Sequence, residues 1–373
     1  MSGRVQLVYG DSYMAYRHSD EHPLQPIRVK LAVDLIRAKG LLRDAGVVAP
    51  RQASDAELAL VHSPAYIDLV RRLSKSGGDG VTAPAALGAG FGSGDNPIFE
   101  RMHEACAEIV GGTLVAAEAV ASGEALHAFN PAGGLHHAMR AAASGFCVYN
   151  DPAVAIAWLR ARGHRVAYVD VDVHHGDGVE ALFYSDPEVL TISLHESGRY
   201  LFPGTGWPQD TGAGAASGTA ANLPLQPFTW DTPWLAGFEA VVPPLLRRFA
   251  PTVLVTQDGC DTHALDPLAH LQGSTRIWPR IGSRFHELAH ELCDGRWVAT
   301  GGGGYAVREV VPRAWTLLFA EMVERPEPAA DLLDPAEFVP EPAAQDRVWA
   351  FLRRDTQALA AALGAELRVT VPV

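Results

Sequence analysis

The stretch Arg165-Val-Ala-Tyr-Val-Asp-Val-Asp-Val-His-His-Gly-Asp-Gly178 constrains the fold more than any other part of this chain. Its first half is apolar and β-branched, the composition of a strand buried on both faces. Asp170, Asp172 and His174 follow at alternate positions. Side chains alternate across a strand, so these three share one face, about 7 Å from neighbour to neighbour. Two carboxylates and an imidazole gathered at the end of a buried strand are costly unless they are paired or bind a metal. Gly176 and Gly178 allow a sharp turn that returns Asp177 to the same point. The pattern predicts a metal site at the carboxyl end of a sheet strand, where open α/β sheets place their ligands. A lone Asp-x-His more commonly caps a helix or completes an ion pair. Three polar groups in register tip the balance, provided other segments supply the missing partners.

Composition narrows the partners. The chain carries 30 Lys and Arg against 43 Asp and Glu, a formal charge of -13, with no basic run. That argues against direct contact with nucleic acid or an anionic membrane surface. An acidic rim suits cationic substrates such as Lys-rich peptides or polyamines. A hydrophobic share of 48% is that of an ordinary soluble protein with a large core. Cys106, Cys147, Cys260 and Cys293 lie far apart with no C-x-x-C pair, so neither a disulfide framework nor a structural zinc knot is expected. The first residues lack a signal pattern and no long apolar run spans a bilayer, so the expected location is the cytoplasm.

Along the chain, residues 5–9 read as a short strand, 11–26 as a polar surface loop, and 28–43 as a helix closed by Gly40 and Gly46. A helix near 64–73 precedes an irregular, Gly- and Ala-dense connection over 74–96, a length that usually carries function. Asn96-Pro97 reads as a helix start, with the amide as cap and the helix running to about residue 122. Asp151-Pro152 starts another, ending near Gly163. A strand over 189–194 leads into a Gly- and Ala-rich loop from about 198 to 228. A helix over 234–249, kinked at Pro243-Pro244, is followed by a strand at 252–256 and a helix at 277–292. A strand at 297–300 and a helix at 307–322 come next. The tail from about 326 to 373 is rich in Pro and Glu and ends in an amphipathic helix over 345–363. Strands alternating with helices predict an α/β fold, a mainly parallel sheet with helices on both faces. The chemistry draws on segments from about 95 to 305, so residues 1–373 read as a single domain.

Four further segments carry unusual chemistry. Pro131-Ala-Gly-Gly-Leu-His-His-Ala138 sets adjacent histidines, His136 and His137, on a glycine turn. Alone, such a pair is more often on the surface than in a site. Ser144-Gly-Phe-Cys-Val-Tyr-Asn-Asp151 is an aromatic turn into a helix, and plain core packing is its simplest explanation. Val255-Thr-Gln-Asp-Gly-Cys-Asp-Thr-His263 places Asp261 after a buried strand, where a turn or cap residue is the alternative. Gly301-Gly-Gly-Gly-Tyr305 joins a strand to a helix without a phosphate-loop lysine, so Tyr305 aimed into a site is the stronger reading.

Together the motifs HHA, GFCVYND, DVDVHHGDG, LFPGTG, CDTHALDP and GGGGY resemble those of the zinc-dependent histone deacetylase family, and within it the bacterial acetoin-utilization deacetylases. The resemblance runs in order from Asp95 to Tyr305. It implies the arginase/deacetylase fold, with Asp172, His174 and Asp261 as ligands of zinc, or of ferrous iron in its place. Such a ligand set leaves positions open for water and substrate. His136 and His137 match the family's tandem histidines, with Asp170 and Asp177 as their carboxylate partners. Tyr305 matches the phenol that polarises the amide carbonyl. Gly145, Phe146, Phe202, Leu268 and Gly303 match the lining of a narrow lysine tunnel, and Asp95 the rim aspartate that holds substrate amides. Asp170, Ser193 and main-chain carbonyls of Asp172, His174 and Leu194 match a structural potassium site. A second such site is implied near Phe183, Asp186 and Val189. Two departures stand out: Leu135 replaces the Trp or Pro-Gly of many animal members, and Gln25-Pro26-Ile27 replaces a more charged spacing beside Arg28.

The implied activity is metal-assisted hydrolysis of an acetyl-lysine amide in a protein or peptide. His137 would be the general base and proton donor, His136 an electrostatic aid, and the oxyanion would lie between metal and phenol. An acetylated metabolic enzyme is the partner suggested by analogy. Two alternatives remain: an acetylpolyamine amidohydrolase, and a catalytically silent acetyl-lysine-binding protein. Neither the oligomeric state nor the acyl substrate is legible.

Overall fold

The computed structural model describes residues 5–76, 84–92 and 94–370. An eight-stranded sheet runs through it in the order β2-β1-β3-β8-β7-β4-β5-β6. Its strands are β1 (Val5–Val8), β2 (Ala45–Val48), β3 (His127–Asn130), β4 (Val166–Asp170), β5 (Val189–Glu196), β6 (Ala220–Leu225), β7 (Val253–Gln257) and β8 (Trp297–Thr300). Every pairing is parallel. This is the α/β arrangement expected of the arginase/deacetylase fold. The inner strands β3, β4, β7 and β8 are buried along their whole length, which fits their unbroken apolar character.

The helices form two packed groups. Met102–Ser122 packs against Asp151–Arg160, Pro64–Ser76 and strands β1, β3 and β8. In the other group, Ile27–Ala38, Val311–Met322, Ile277–Leu292, Asp231–Phe249 and Pro342–Leu363 touch one another in series. Met102–Ser122 is apolar and long enough to cross a membrane, yet 72% of its most apolar window is buried inside the protein, as suits a core helix. The C-terminal helix Pro342–Leu363 packs against the edge strand β6.

Several boundaries depart from the sequence-based expectation. Residues 198–228, expected to be loop, contain β6. Its alanines and Pro224 mask a strand signal, but proline is tolerated on an edge strand. Strands β2 and β3 were not anticipated. Each has only four residues, too few to show a period.

The long helix begins at Met102 rather than at Pro97. The Asn96 side-chain amide donates to the Gly90 carbonyl at 3.2 Å instead of capping, and Arg101 adopts a left-handed φ of 58°. At Asp151, by contrast, the cap is Asn150, whose side chain accepts from the Ala153 N–H at 3.0 Å. Pro243 and Pro244 lie inside the uninterrupted helix Asp231–Phe249. Part of the connection expected over 74–96 lies outside the described residues; the rest includes the helix end at Ser76 and the short helix Pro84–Gly88. Residues 11–26, expected at the surface, bury Tyr13, Tyr16, His18, His22 and Leu24. Here the aromatic and histidine side chains pack into the core, and polarity was a misleading guide.

Candidate active site

The carboxyl ends of four adjacent strands, β3, β8, β7 and β4, open into one crevice. β4 ends at Asp170 and continues into Asp172 and His174; the turn after β7 carries Asp261; the run after β8 carries Gly303 and Tyr305; the turn after β3 carries His136 and His137. Segments far apart in sequence thus meet because their strands are neighbours in the sheet.

The centre is made by Asp172, His174 and Asp261, whose ligand atoms all lie within 4.8 Å of one another. His174 Nδ1 is 3.0 Å from Asp172 Oδ1 and 3.1 Å from Asp261 Oδ2. Each carboxylate is anchored through its other oxygen. Asp172 Oδ2 accepts from the Gly303 N–H at 2.6 Å and from Gln257 Nε2 at 2.7 Å. Asp261 Oδ1 accepts from the Val173 N–H at 2.9 Å. One oxygen of each aspartate is therefore fixed by the protein, and the other faces the imidazole nitrogen.

All three groups are buried, and the electrostatics show the same demand for positive charge. Burial opposes charging His174, yet Asp172 and Asp261 hold it up at about 10. Burial and the Asp172 charge push Asp261 up to about 7. A proton thus sits where two carboxylates converge. A divalent ion bound by one nitrogen and two oxygens fits this donor set, and it would replace that proton. Gly303 is required for the approach: a Cβ there would stand 1.9 Å from Asp261 Oδ2.

The two histidines stand beside this centre. His136 Nδ1 meets Asp170 Oδ2 at 2.7 Å, and His137 Nδ1 meets Asp177 Oδ1 at 2.6 Å. Their Nε2 atoms face each other at 3.0 Å. Burial opposes charge on both, but Asp170 and Asp172 hold His136 up at about 9. Burial and the neighbouring His136 cation push His137 down to about 4. At neutral pH the pair thus contains one cation, His136, and one neutral base, His137.

Tyr305 is half-buried; desolvation with the Asp261 and Asp172 charges raises its phenol well above the ordinary value, so it remains a donor. Asp266 accepts the Tyr305 N–H at 2.7 Å, and Arg28 Nη1 donates to the Gly304 carbonyl at 2.9 Å. Phe146 meets the Tyr305 ring edge-on at 5.6 Å between centroids. Phe202 meets His137 at 5.0 Å and His174 at 6.3 Å. The two phenylalanines form aromatic walls beside the centre. Gly145 has a φ of +48°, and a Cβ there would stand 2.4 Å from His137 Cδ2, so the wall admits no larger residue.

Most of the expected site residues converge. Leu268, part-exposed, donates its N–H to Asp266 Oδ1 at 3.0 Å and thereby adjoins the Tyr305 support. The Asp95 side chain is exposed; its carbonyl accepts from His22 Nε2 at 3.2 Å, and His22 abuts Phe146 at 4.5 Å between rings. Asp170 and Ser193 are register partners on β4 and β5, and Leu194 follows Ser193. Ser193 Oγ lies 2.8 Å from His195 Nδ1. Asp186, by contrast, is engaged through its carboxylate by Arg160 at 3.2 Å.

Other residues of the site were not singled out in advance. Gln257 grips Asp172, and Tyr168 donates its hydroxyl to Asp170 Oδ2 at 2.6 Å. Asp151 accepts the N–H groups of Gly134 and Leu135, at 3.0 and 2.8 Å, and so pins the turn before His136. Asn150 donates to the carbonyls of His136 and Ala138, both at 3.0 Å. Behind Phe146, Tyr16 and His18 both bond its carbonyl, at 2.5 and 3.1 Å.

The model of the histone deacetylase domain matches residues 22–322, most of the chain and every segment of the site except that of Tyr16 and His18. The chain is 46% identical over 316 residues to the acetoin utilization protein AcuC of Bacillus subtilis strain 168, covering 84% of this chain and 81% of that protein. It is 38% identical over 324 residues to AcuC of Staphylococcus aureus strain MRSA252, covering 87% and 82% respectively. It is 36% identical over 327 residues to AcuC of Staphylococcus xylosus, covering 87% and 84%. With a sheet of this order, a crevice built from these segments and relatives of this kind, the chain belongs to the histone deacetylase family, close to the acetoin-utilization deacetylases.

Proposed function

We propose that this protein hydrolyses the amide of acetyl-lysine in proteins or peptides, releasing acetate and the free lysine amine. One observation carries the reading: the Asp172–His174–Asp261 donor set lies beside a neutral, carboxylate-backed His137, with Phe202 against His137 and His174 and Phe146 against Tyr305. Zinc, or ferrous iron, held by those three residues would supply Lewis acidity towards the amide carbonyl and an attacking water.

The protein's own groups account for the remaining chemistry. The aliphatic stem of the lysine would lie between Phe146 and Phe202, with Gly145, Leu268 and Gly303 leaving room along its path. Asp95 at the rim would hold the substrate's backbone N–H groups. His137, neutral at physiological pH, accepts a proton from water as that water's oxygen attacks the carbonyl carbon. Its lone pair faces His136, so that 3.0 Å contact must open as water is bound. Asp177 holds the Nδ1–H of His137 and steadies the imidazolium that forms. The cationic His136, fixed by Asp170, stabilises the negative charge that develops nearby. Tyr305 donates its phenolic proton in a hydrogen bond to the oxyanion. As the C–N bond breaks, His137 returns the proton to the leaving amine.

A structural potassium ion at Asp170, Ser193 and the carbonyls of Asp172, His174 and Leu194 belongs to the same reading. A second at Phe183, Asp186 and Val189 would have to use carbonyls, since Arg160 engages the Asp186 carboxylate. The relatives' names speak of acetoin utilization; an acetylated metabolic enzyme in the cytoplasm is the target proposed by analogy. The discriminating experiment compares acetate release from acetyl-lysine peptides with release from acetylated polyamines. Faster turnover of peptides supports the proposal; faster turnover of polyamines would favour a polyamine amidohydrolase, and binding without turnover a silent acetyl-lysine reader.

A further inference from the structure

At the opposite end of the sheet, three histidines converge on a second point. His127 opens β3 and pairs in register with Trp297, the first residue of β8. His286 and His290 lie four positions apart in the last turns of the helix Ile277–Leu292, a spacing that puts both on one helical face. Each of the three offers a ring nitrogen within 4.8 Å of the others. The ring centroids are 4.7 Å apart for His127 and His286, 5.2 Å for His127 and His290, and 4.6 Å for His286 and His290.

The hydrogen bonding sets this cluster apart from ordinary core histidines. His62, for comparison, uses both nitrogens: Nδ1 meets the Met139 carbonyl at 3.0 Å, and Nε2 accepts the Asn150 N–H at 3.0 Å. His127 is 2% exposed, yet its Nδ1 has no hydrogen-bond partner, and neither has the buried Nδ1 of His286. A buried polar nitrogen without a partner is costly, and two in one histidine cluster call for an occupant. The cluster lines a cavity of about 160 Å³ with Val5, Asp44, Leu126 and Glu324. Glu324 Oε1 lies 3.7 Å from His286 Nε2 on the exposed side. Asp44 is already paired with Arg325 at 2.6 Å.

We propose that His127, His286 and His290 form a second metal site, remote from the crevice, that takes a divalent transition ion such as zinc, with Glu324 or water as the fourth ligand. Three imidazoles and a carboxylate or water match the borderline-soft preference and tetrahedral geometry of zinc. At about 2.0–2.1 Å from the metal, tetrahedral nitrogens stand roughly 3.4 Å apart. The ring nitrogens, already within 4.8 Å of one another, would draw together on binding the ion. Bound there, the ion would tie the start of β3 to the end of the helix Ile277–Leu292 and to the turn after Val311–Met322. Its role would be structural: no crevice residue lies in this cavity.

The test is metal stoichiometry. The full chain is freed of metal with a chelator, titrated with Co2+, and followed by calorimetry and visible absorption. The parent is compared with His290→Ala, an exposed position that leaves the core untouched, and with His286→Ala/His290→Ala. The expected result is that the double variant binds one equivalent fewer than the parent. It should also lack one tetrahedral Co2+ absorption component, while its hydrolytic turnover after loading stays within about twofold of the parent. His290→Ala should weaken that equivalent by at least tenfold. Equal stoichiometry in parent and double variant would overturn the proposal. So would an unchanged affinity in His290→Ala.

Discussion

His136 and His137 face each other Nε2 to Nε2 at 3.0 Å, each held from behind by its own aspartate. Adjacent in sequence, they occupy different protonation states because Asp170 and Asp172 surround the first, whereas the second has mainly burial and its charged neighbour to contend with. His137→Ala should lower kcat by roughly 10²- to 10⁴-fold, the usual worth of a positioned base, while metal affinity stays within a few-fold. In His136→Ala the repulsion on His137 is lost, so its pKa should rise. The acid limb of the kcat/KM profile should then move to higher pH; an unmoved limb would remove His136 from this electrostatic role.

Tyr305→Phe deletes one oxyanion donor and leaves the packing against Phe146 in place. Turnover of an acetyl-lysine peptide should fall by roughly 10²-fold or more, with KM little changed. Steady-state kinetics on the purified variant decide this, and activity within a few-fold of the parent would take the phenol out of the mechanism.

Gln257→Ala removes the side chain that fixes Asp172 Oδ2 at 2.7 Å. Groups that orient metal ligands typically contribute about 10- to 100-fold in affinity, so Co2+ or Zn2+ binding at the crevice should weaken by that much. Calorimetric titration of the apoprotein measures it. Unchanged affinity would mean that the Gly303 N–H alone holds the carboxylate.

The sequence made the crevice more legible than its supports. Asp170, Asp172 and His174 announce themselves because a strand's two-residue period is local, so three polar groups on one face can be read without knowing the fold. Gln257, Tyr168 and Asp266 cannot be read this way. Their roles depend on partners brought close by strand order, and each has an ordinary local context. The same holds for Asn96: its dipeptide with Pro97 promises a helix cap, but a carbonyl at Gly90 claims the amide first. β6 was hidden because Ala220, Ala221 and Pro224 carry almost no β signal, and only its place at the sheet edge accommodates the proline. Tyr16 and His18 looked solvent-facing until Phe146, more than a hundred residues away, supplied the carbonyl they share.

His62 gives the fold a defined acid sensitivity. Burial pushes it down to about 4 from an ordinary 6.5, against the opposing pull of the Met139 carbonyl that accepts from its Nδ1. The unfolded chain takes up this proton first as pH falls. The contribution is therefore complete above about pH 6.5 and is lost as pH drops towards 4, amounting to about 3 kcal/mol. Urea unfolding across that window should show the decline. His62→Gln should be less stable at pH 7 and should flatten the slope; a parallel slope in the variant would assign the acid sensitivity elsewhere.

The central claim is that Asp172, His174 and Asp261 hold the ion on which hydrolysis depends. The direct measurement is acetate release from an acetyl-lysine peptide before chelation, after chelation, and after adding back single divalent ions. The account predicts that turnover disappears with the ion and returns with zinc or ferrous iron in the parent, but not in Asp261→Asn. Full turnover by chelated, metal-free protein would contradict it.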